Sequence, residues 1–346
     1  MDLIIFVVAL SVLVLVHEFG HFFAAKLVGV KVEEFGLGLP PKIISKKWKG
    51  TVWSLNWLPI GGFCKLYGED ANGKGDGAFN NKNPWQKGLI VLGGVLMNVV
   101  LAIVIFTVVY SRVGIPVETD RVSIIGVAKN TPASDAGLKE GDVVLKVNEV
   151  VVKTGSALTA EVGKYKGKKV TLYLNDNRTV VVDVRENPPQ GEGSMGIAIS
   201  NTEMQKLKWY EVYKGVGAGF KEAYYWGKVI FGGVVTMVGG LLHGQVPSDV
   251  AGPIGMFQAT TTIKQTQGIL AVIHFFGIIS VNLAVVNVLP FPALDGGRIV
   301  FVLYELIFRK KANEKFEAMV NNLGMAVLLT LLLTITVSDV VRVVRK

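Results

Sequence analysis

Residues 17–21 read His-Glu-Phe-Gly-His, with the two histidines spaced i, i+4. On a helix that spacing puts both imidazoles on one face, close enough to bind one metal ion, with Glu18 beside them as the base of an HExxH arrangement. The motif closes an apolar run that starts at Leu3. Ionisable side chains at membrane depth cost several kcal/mol and by default mark a site, so the apolar surroundings argue for chemistry there. A catalytic zinc takes three protein ligands and keeps a fourth position open, so one more His, Asp or Glu must come from elsewhere. Asp295 is the leading candidate: in NVLPFPALDGGR, Pro290 and Pro292 forbid a regular helix and Gly296-Gly297 permits close backbone approach. His274, inside AVIHFFGI, competes with it, and His243 and Glu305 are weaker.

The elements that must position these residues follow from composition. At 346 residues, 50% hydrophobic and 18% charged, with a mean hydropathy of +0.45, the chain reads as a membrane protein with a soluble part. Its one cysteine, Cys64, excludes an intramolecular disulfide framework, so any metal must use His and carboxylate. The net charge of +9 comes from dispersed lysines with no nucleic-acid module, which excludes nucleic acid as a partner and makes the charge a report on topology. Met1 and Asp2 supply no basic region for a cleaved leader, so the first apolar run is expected to stay as a span.

About four transmembrane helices are expected, at residues 1–30, 86–112, 266–297 and 318–341. The lysine-rich connection after the first span and the basic cluster Arg298, Arg309, Lys310, Lys311 and Lys315 place both loops on the cytoplasmic side. Between spans one and two, residues 31–70 read as a β-hairpin or small sheet. Trp48, Trp53 and Trp57 suit a membrane interface, so this sheet is expected to be re-entrant. Residues 207–245 are apolar but glycine-rich and flanked by charge, and read as an amphipathic interfacial helix. Residues 121–200 carry strand-like runs, a turn-rich NTPASDAGLKEGD and a short helix around Ser156 to Lys164, which make an inserted soluble domain. The expected fold class is a polytopic α-helical membrane protein with a membrane re-entrant β-hairpin or sheet and one inserted β-rich domain.

The stretch PASDAGLKEGDVVLKVNEVVV resembles the core of bacterial PDZ domains. Together with HEFGH in the first span and NVLPFPALDGG near the third, it makes the chain similar to the site-2 protease family, in the bacterial regulator-of-sigma-E protease branch, over nearly its whole length. FGLGLPP is similar to the glycine motif that opens that family's re-entrant sheet, and VAGPIG at 250–255 resembles another family signature. The resemblance implies that His17, His21 and Asp295 hold Zn2+ and that Glu18 is the catalytic base. It further implies that Asn287, with Pro290 and Pro292, handles substrate, and that Asn282 falls at a matching asparagine position. It implies an intramembrane endopeptidase of the bacterial cytoplasmic membrane, with the site toward the cytoplasm and the PDZ domain outside. Its expected partners are the lipid bilayer, single-span substrates, and peptide C-termini or extracytoplasmic segments at the PDZ domain. A helical substrate must unwind to be cut, and an edge strand of the 32–66 sheet, at 51–57, is the expected place for it to pair. One departure is that the best-known Gram-negative members have two tandem PDZ domains and this chain has room for one. The alternative function is a membrane-anchored PDZ adaptor without proteolytic activity; a metal transporter is weaker, because few polar residues line the spans.

Overall fold

A computed structural model of the chain describes residues 2–69, 73, 75–189, 192–243 and 252–344. Asp70, Gly244 and Gln245, at the ends of the 31–70 and 207–245 stretches, and Val250 and Ala251, which open VAGPIG, lie outside the described residues. The chain divides into two compact units, Met1–Tyr110 with Tyr210–Lys346, and Ser111–Trp209.

The first unit opens with helix α1 (Asp2–Leu27), which runs into the long strands β1 (Val32–Trp48) and β2 (Thr51–Leu66). These strands fold back on themselves, so two strands make a broader surface. Residues 34–37 are flanked on one side by 62–65 and on the other by 52–55, while 44–48 pair outside 51–55. Residues 52–55 are therefore interior. The stretch 51–57 is not the free edge that the sequence suggested; the edge beside α1 is formed by residues 62–66. Trp53 also departs from expectation, because it packs against Phe22 at 5.3 Å and Phe35 at 5.1 Å. It joins the sheet to α1, whereas Trp48 and Trp57 remain exposed.

Helix α2 (Pro84–Val113) lies against α1. At the crossing the two backbones touch through glycines: a Cβ added at Gly20 would lie 2.2 Å from the Gly93 carbonyl oxygen. Only small residues allow membrane helices to approach this closely.

The second unit contains β3 (Ile115–Val127), α3 (Pro132–Asp135), β4 (Val143–Val147), β5 (Val150–Val151), α4 (Gly155–Gly163), β6 (Lys169–Leu174), β7 (Thr179–Asp183) and β8 (Ile197–Gln205). Its sheet runs β7-β6-β4-β3-β8, with β5 paired to β4. Alternate apolar residues of these strands, including Val122, Val144 and Leu172, close on Leu158 and Val162 of α4 in one core. Thr131 and Thr154 cap α3 and α4 with their hydroxyls. Asp142, from the Gly-Asp pair, accepts the Lys139 N–H at 2.9 Å and pairs with Arg178, which fixes the turn between α3 and β4.

The chain returns to the first unit through α5 (Val212–Leu242) and α6 (Pro253–Gln267), then α7 (Ile269–Val288), α8 (Asp295–Phe308) and α9 (Glu314–Val344). Helices α1, α2, α7 and α9 are long and apolar enough to cross a membrane; α5 is not among them. The span expected at 266–297 is thus broken twice. Gly268 separates α6 from α7, and the prolines at 290 and 292 end α7 at Val288, so that Asp295 starts a helix of its own.

Candidate metal centre

Helix periodicity puts His17 and His21 on the face of α1 that meets α2, and the loop after α7 delivers Asp295 to the same point. His17 Nε2 lies 3.1 Å and His21 Nε2 3.3 Å from Asp295 Oδ2, and the two imidazole nitrogens are 3.2 Å apart. The three side chains are 11%, 13% and 16% exposed, which leaves them open on one side only. Asp295 reaches this point because α8 begins against the loop before it: a Cβ at Gly296 would fall 1.9 Å from the Leu289 carbonyl oxygen, so no other residue fits. The histidines are held from α2. His21 Nδ1 donates to the Ile90 carbonyl at 2.9 Å, which leaves Nε2 as a bare lone pair facing the carboxylate. A Cβ at Gly94 would stand 2.4 Å from His21 Nε2 and 2.7 Å from His17 Cε1, so α2 leaves this space to the two rings.

These donors fit a tetrahedral zinc. With bonds of about 2.0–2.1 Å, the edges of such a tetrahedron are about 3.3 Å, which matches the observed triangle. The Asp295 Oδ2 atom is buried without a hydrogen-bond partner, and imidazole plus carboxylate is a donor set that zinc accepts. Beside the triangle, Glu18 lies against the 62–66 edge of the sheet: a Cβ added at Gly62 would stand 3.5 Å from Glu18 Cγ.

All four groups line one cavity of about 610 Å³, together with Phe63, Cys64, Asn98, Asn287 and Arg298. Of the residues expected to handle substrate, Asn287 lines this cavity. Asn282 is on an exposed face of α7, and neither it nor Pro290 nor Pro292 lines the cavity. The rival ligands are elsewhere. His274 lies 3.2 Å from Glu222, which also accepts from Tyr110 and Trp226, each at 2.9 Å. Glu305 pairs with Lys87 at 2.7 Å, and His243, just past the end of α5, approaches the Gly239 carbonyl. Asn98, Asn321, Asn322, Arg298 and Glu69 line the cavity without having been singled out from the sequence as site residues. A signal did exist for Asn98, because it is a lone polar residue inside an apolar span.

Two histidines of a membrane-length helix and an aspartate converging on one point, beside a carboxylate, define a membrane-bound metallopeptidase. The chain belongs to peptidase family M50, whose sequence profile matches residues 5–331, and members of that family are zinc-dependent. Among its relatives is a protein of Clostridium acetobutylicum, 34% identical over 98% of this chain and 97% of its own length. Others are proteins of Clostridium perfringens, 32% identical over 99% of both chains, and of Fusobacterium nucleatum, 30% identical over 98% of both. All three are provisionally named zinc metalloproteases. The chain is accordingly a metalloprotease.

Proposed function

We propose that this protein is an intramembrane zinc endopeptidase that cuts transmembrane segments of single-span membrane proteins, in the manner of regulated intramembrane proteolysis. Substrates of this kind include anti-sigma-factor-like proteins and signal-peptide remnants. The observation that carries the reading is the triangle of His17, His21 and Asp295, with edges of 3.1–3.3 Å, built on a membrane-length helix. His17, His21 and Asp295 would hold the zinc, which when bound supplies Lewis-acid polarisation of the scissile carbonyl. The Glu18 carboxylate takes the proton of the attacking water and delivers it to the leaving amine. That carboxylate lines the same cavity as the three proposed ligands.

Water needs an aqueous route to this depth. A second cavity of about 500 Å³, lined by Lys87, Glu305, Lys311 and Lys315, shares Glu69, Arg298, Asn321 and Asn322 with the first. Lys311, in the loop before α9, and Lys315, in its first turn, support a site that opens toward the cytoplasmic face of a bacterial cytoplasmic membrane. The six-stranded unit supports reading residues 121–200 as a PDZ-like domain that takes peptide C-termini or extracytoplasmic segments of substrates.

The test is cleavage of a purified single-span substrate in detergent. Activity is expected to vanish on chelation and to return with zinc; cleavage that survives full zinc removal would overturn the reading. A substrate strand is expected to add to the 62–66 edge, where Phe63 and Cys64 line the cavity. Proline at Gly62 or Phe63 should remove a donor from that edge and lower cleavage about three- to tenfold with zinc content unchanged. Equal rates in both variants would dismiss the pairing.

A further inference from the structure

Asn98 is a fully buried carboxamide in the apolar middle of α2. Its backbone carbonyl accepts a hydrogen bond from Ser280 Oγ of α7 at 2.8 Å, so three helices meet at this residue. Its side-chain nitrogen lies 3.2 Å from His17 Nδ1, and its side-chain oxygen is buried with no partner. A carboxamide has nearly the same shape with its oxygen and nitrogen exchanged, so either atom can face the imidazole.

The two orientations have different chemistry. With the nitrogen facing the ring, His17 Nδ1 must accept, and the imidazole proton then sits on Nε2, pointing into the His21 and Asp295 cluster where a lone pair is needed. With the oxygen facing the ring, Nδ1–H donates to it and the Nε2 lone pair joins that of His21. The exchange moves the unpaired group from oxygen to nitrogen, so the unpaired atom does not decide between them; the ligand does. His21 sets the precedent on the same helix, because its Nδ1–H already donates to the Ile90 carbonyl.

We propose that Asn98 is the positioning residue of His17, its carboxamide oxygen accepting the Nδ1–H and thereby fixing the tautomer and ring orientation that present Nε2 to the metal. Outer partners of this kind typically change metal affinity 10- to 100-fold when removed. The proposal rests on the reading of His17 as a zinc ligand.

The experiment is zinc competition against a chromophoric chelator, with monodisperse full-length protein in detergent, for wild type, Asn98→Leu, Asn98→Asp, Ser280→Ala and His17→Ala. Asn98→Leu keeps the volume and loses the acceptor, and should weaken zinc about 10- to 100-fold. Asn98→Asp has only acceptors and should hold zinc at least as tightly as wild type. Ser280→Ala disturbs the same helix junction without touching His17 and should leave affinity unchanged. Wild-type affinity in Asn98→Leu, or a loss in Asn98→Asp as large as that in Asn98→Leu, overturns the assignment, and either result decides alone if the other variant does not fold. If His17→Ala itself retains zinc, the ligand reading fails first and this assignment with it.

Discussion

Glu18→Gln is expected to yield a protein that carries its full complement of zinc and cleaves nothing measurable. The substitution preserves shape, so the packing of residue 18 beside Gly62 of the sheet edge survives. His17, His21 and Asp295 are untouched. What disappears is a group that can take a proton from water and return it to an amine. General-base catalysis contributes about 10²–10⁴ in rate, so kcat should fall by at least that factor while zinc per chain, measured by elemental analysis, stays constant. Cleavage within tenfold of wild type would remove Glu18 from the reaction. Loss of zinc together with activity would show that Glu18 serves the metal site rather than the proton.

Gly94→Ala is expected to empty the site without altering any ligand. The added methyl would stand 2.4 Å from His21 Nε2 and 2.7 Å from His17 Cε1, well inside van der Waals contact. Relief requires either that the rings turn or that α2 backs away from α1. Turning the rings breaks a triangle whose edges lie between 3.1 and 3.3 Å. Backing away opens the glycine contact at Gly20 and Gly93 and pulls Ile90 from His21. Overpacking of this kind costs about 1–3 kcal/mol in an ordinary core, and when it falls on two ligands at once it should lower zinc affinity about 100-fold. Gly88→Ala is the matched control on the same helix, because its methyl would meet only Val302, at 3.7 Å. Equal zinc affinity in the two variants would refute the claim that this space is reserved for the imidazoles.

The parts of the site that are legible in the sequence are those set by local rules. Helical spacing alone puts His17 and His21 side by side, and two prolines alone announce that the chain stops being helical before Asp295. The meeting of these pieces depends on long-range packing. It turns on the approach of α1 and α2 at Gly20 and Gly93, which no periodicity reveals. The same limit explains His274. Read from its own span it is a free histidine, and only the packing of α5 against α7 gives it Glu222 as a neighbour.

The sheet was legible as strands but not in their order, because β1 and β2 are long enough to bend and pair twice. That hid the interior position of 52–55 and put the edge beside α1 at 62–66. Trp53 followed the same pattern: its residue type suggests an interface, whereas its neighbours Phe22 and Phe35 make it part of a packed aromatic group. In the second unit, β8 pairs back to the start of β3, so the unit runs over 111–209, beyond the 121–200 read from the sequence.

Asp295 opens its own helix after the last turn of α7, far along the chain from the two histidines, and this bears on biosynthesis. With His17, His21 and Asp295 as the zinc ligands, a ribosome makes the histidine pair first and adds the third ligand only after most of the chain has been synthesised. Until then the nascent chain would offer a metal two ligands rather than three. A product of premature termination before residue 295 would be inert for the same reason, so the order of ligands along the chain would keep a half-made protease harmless to the membrane that receives it.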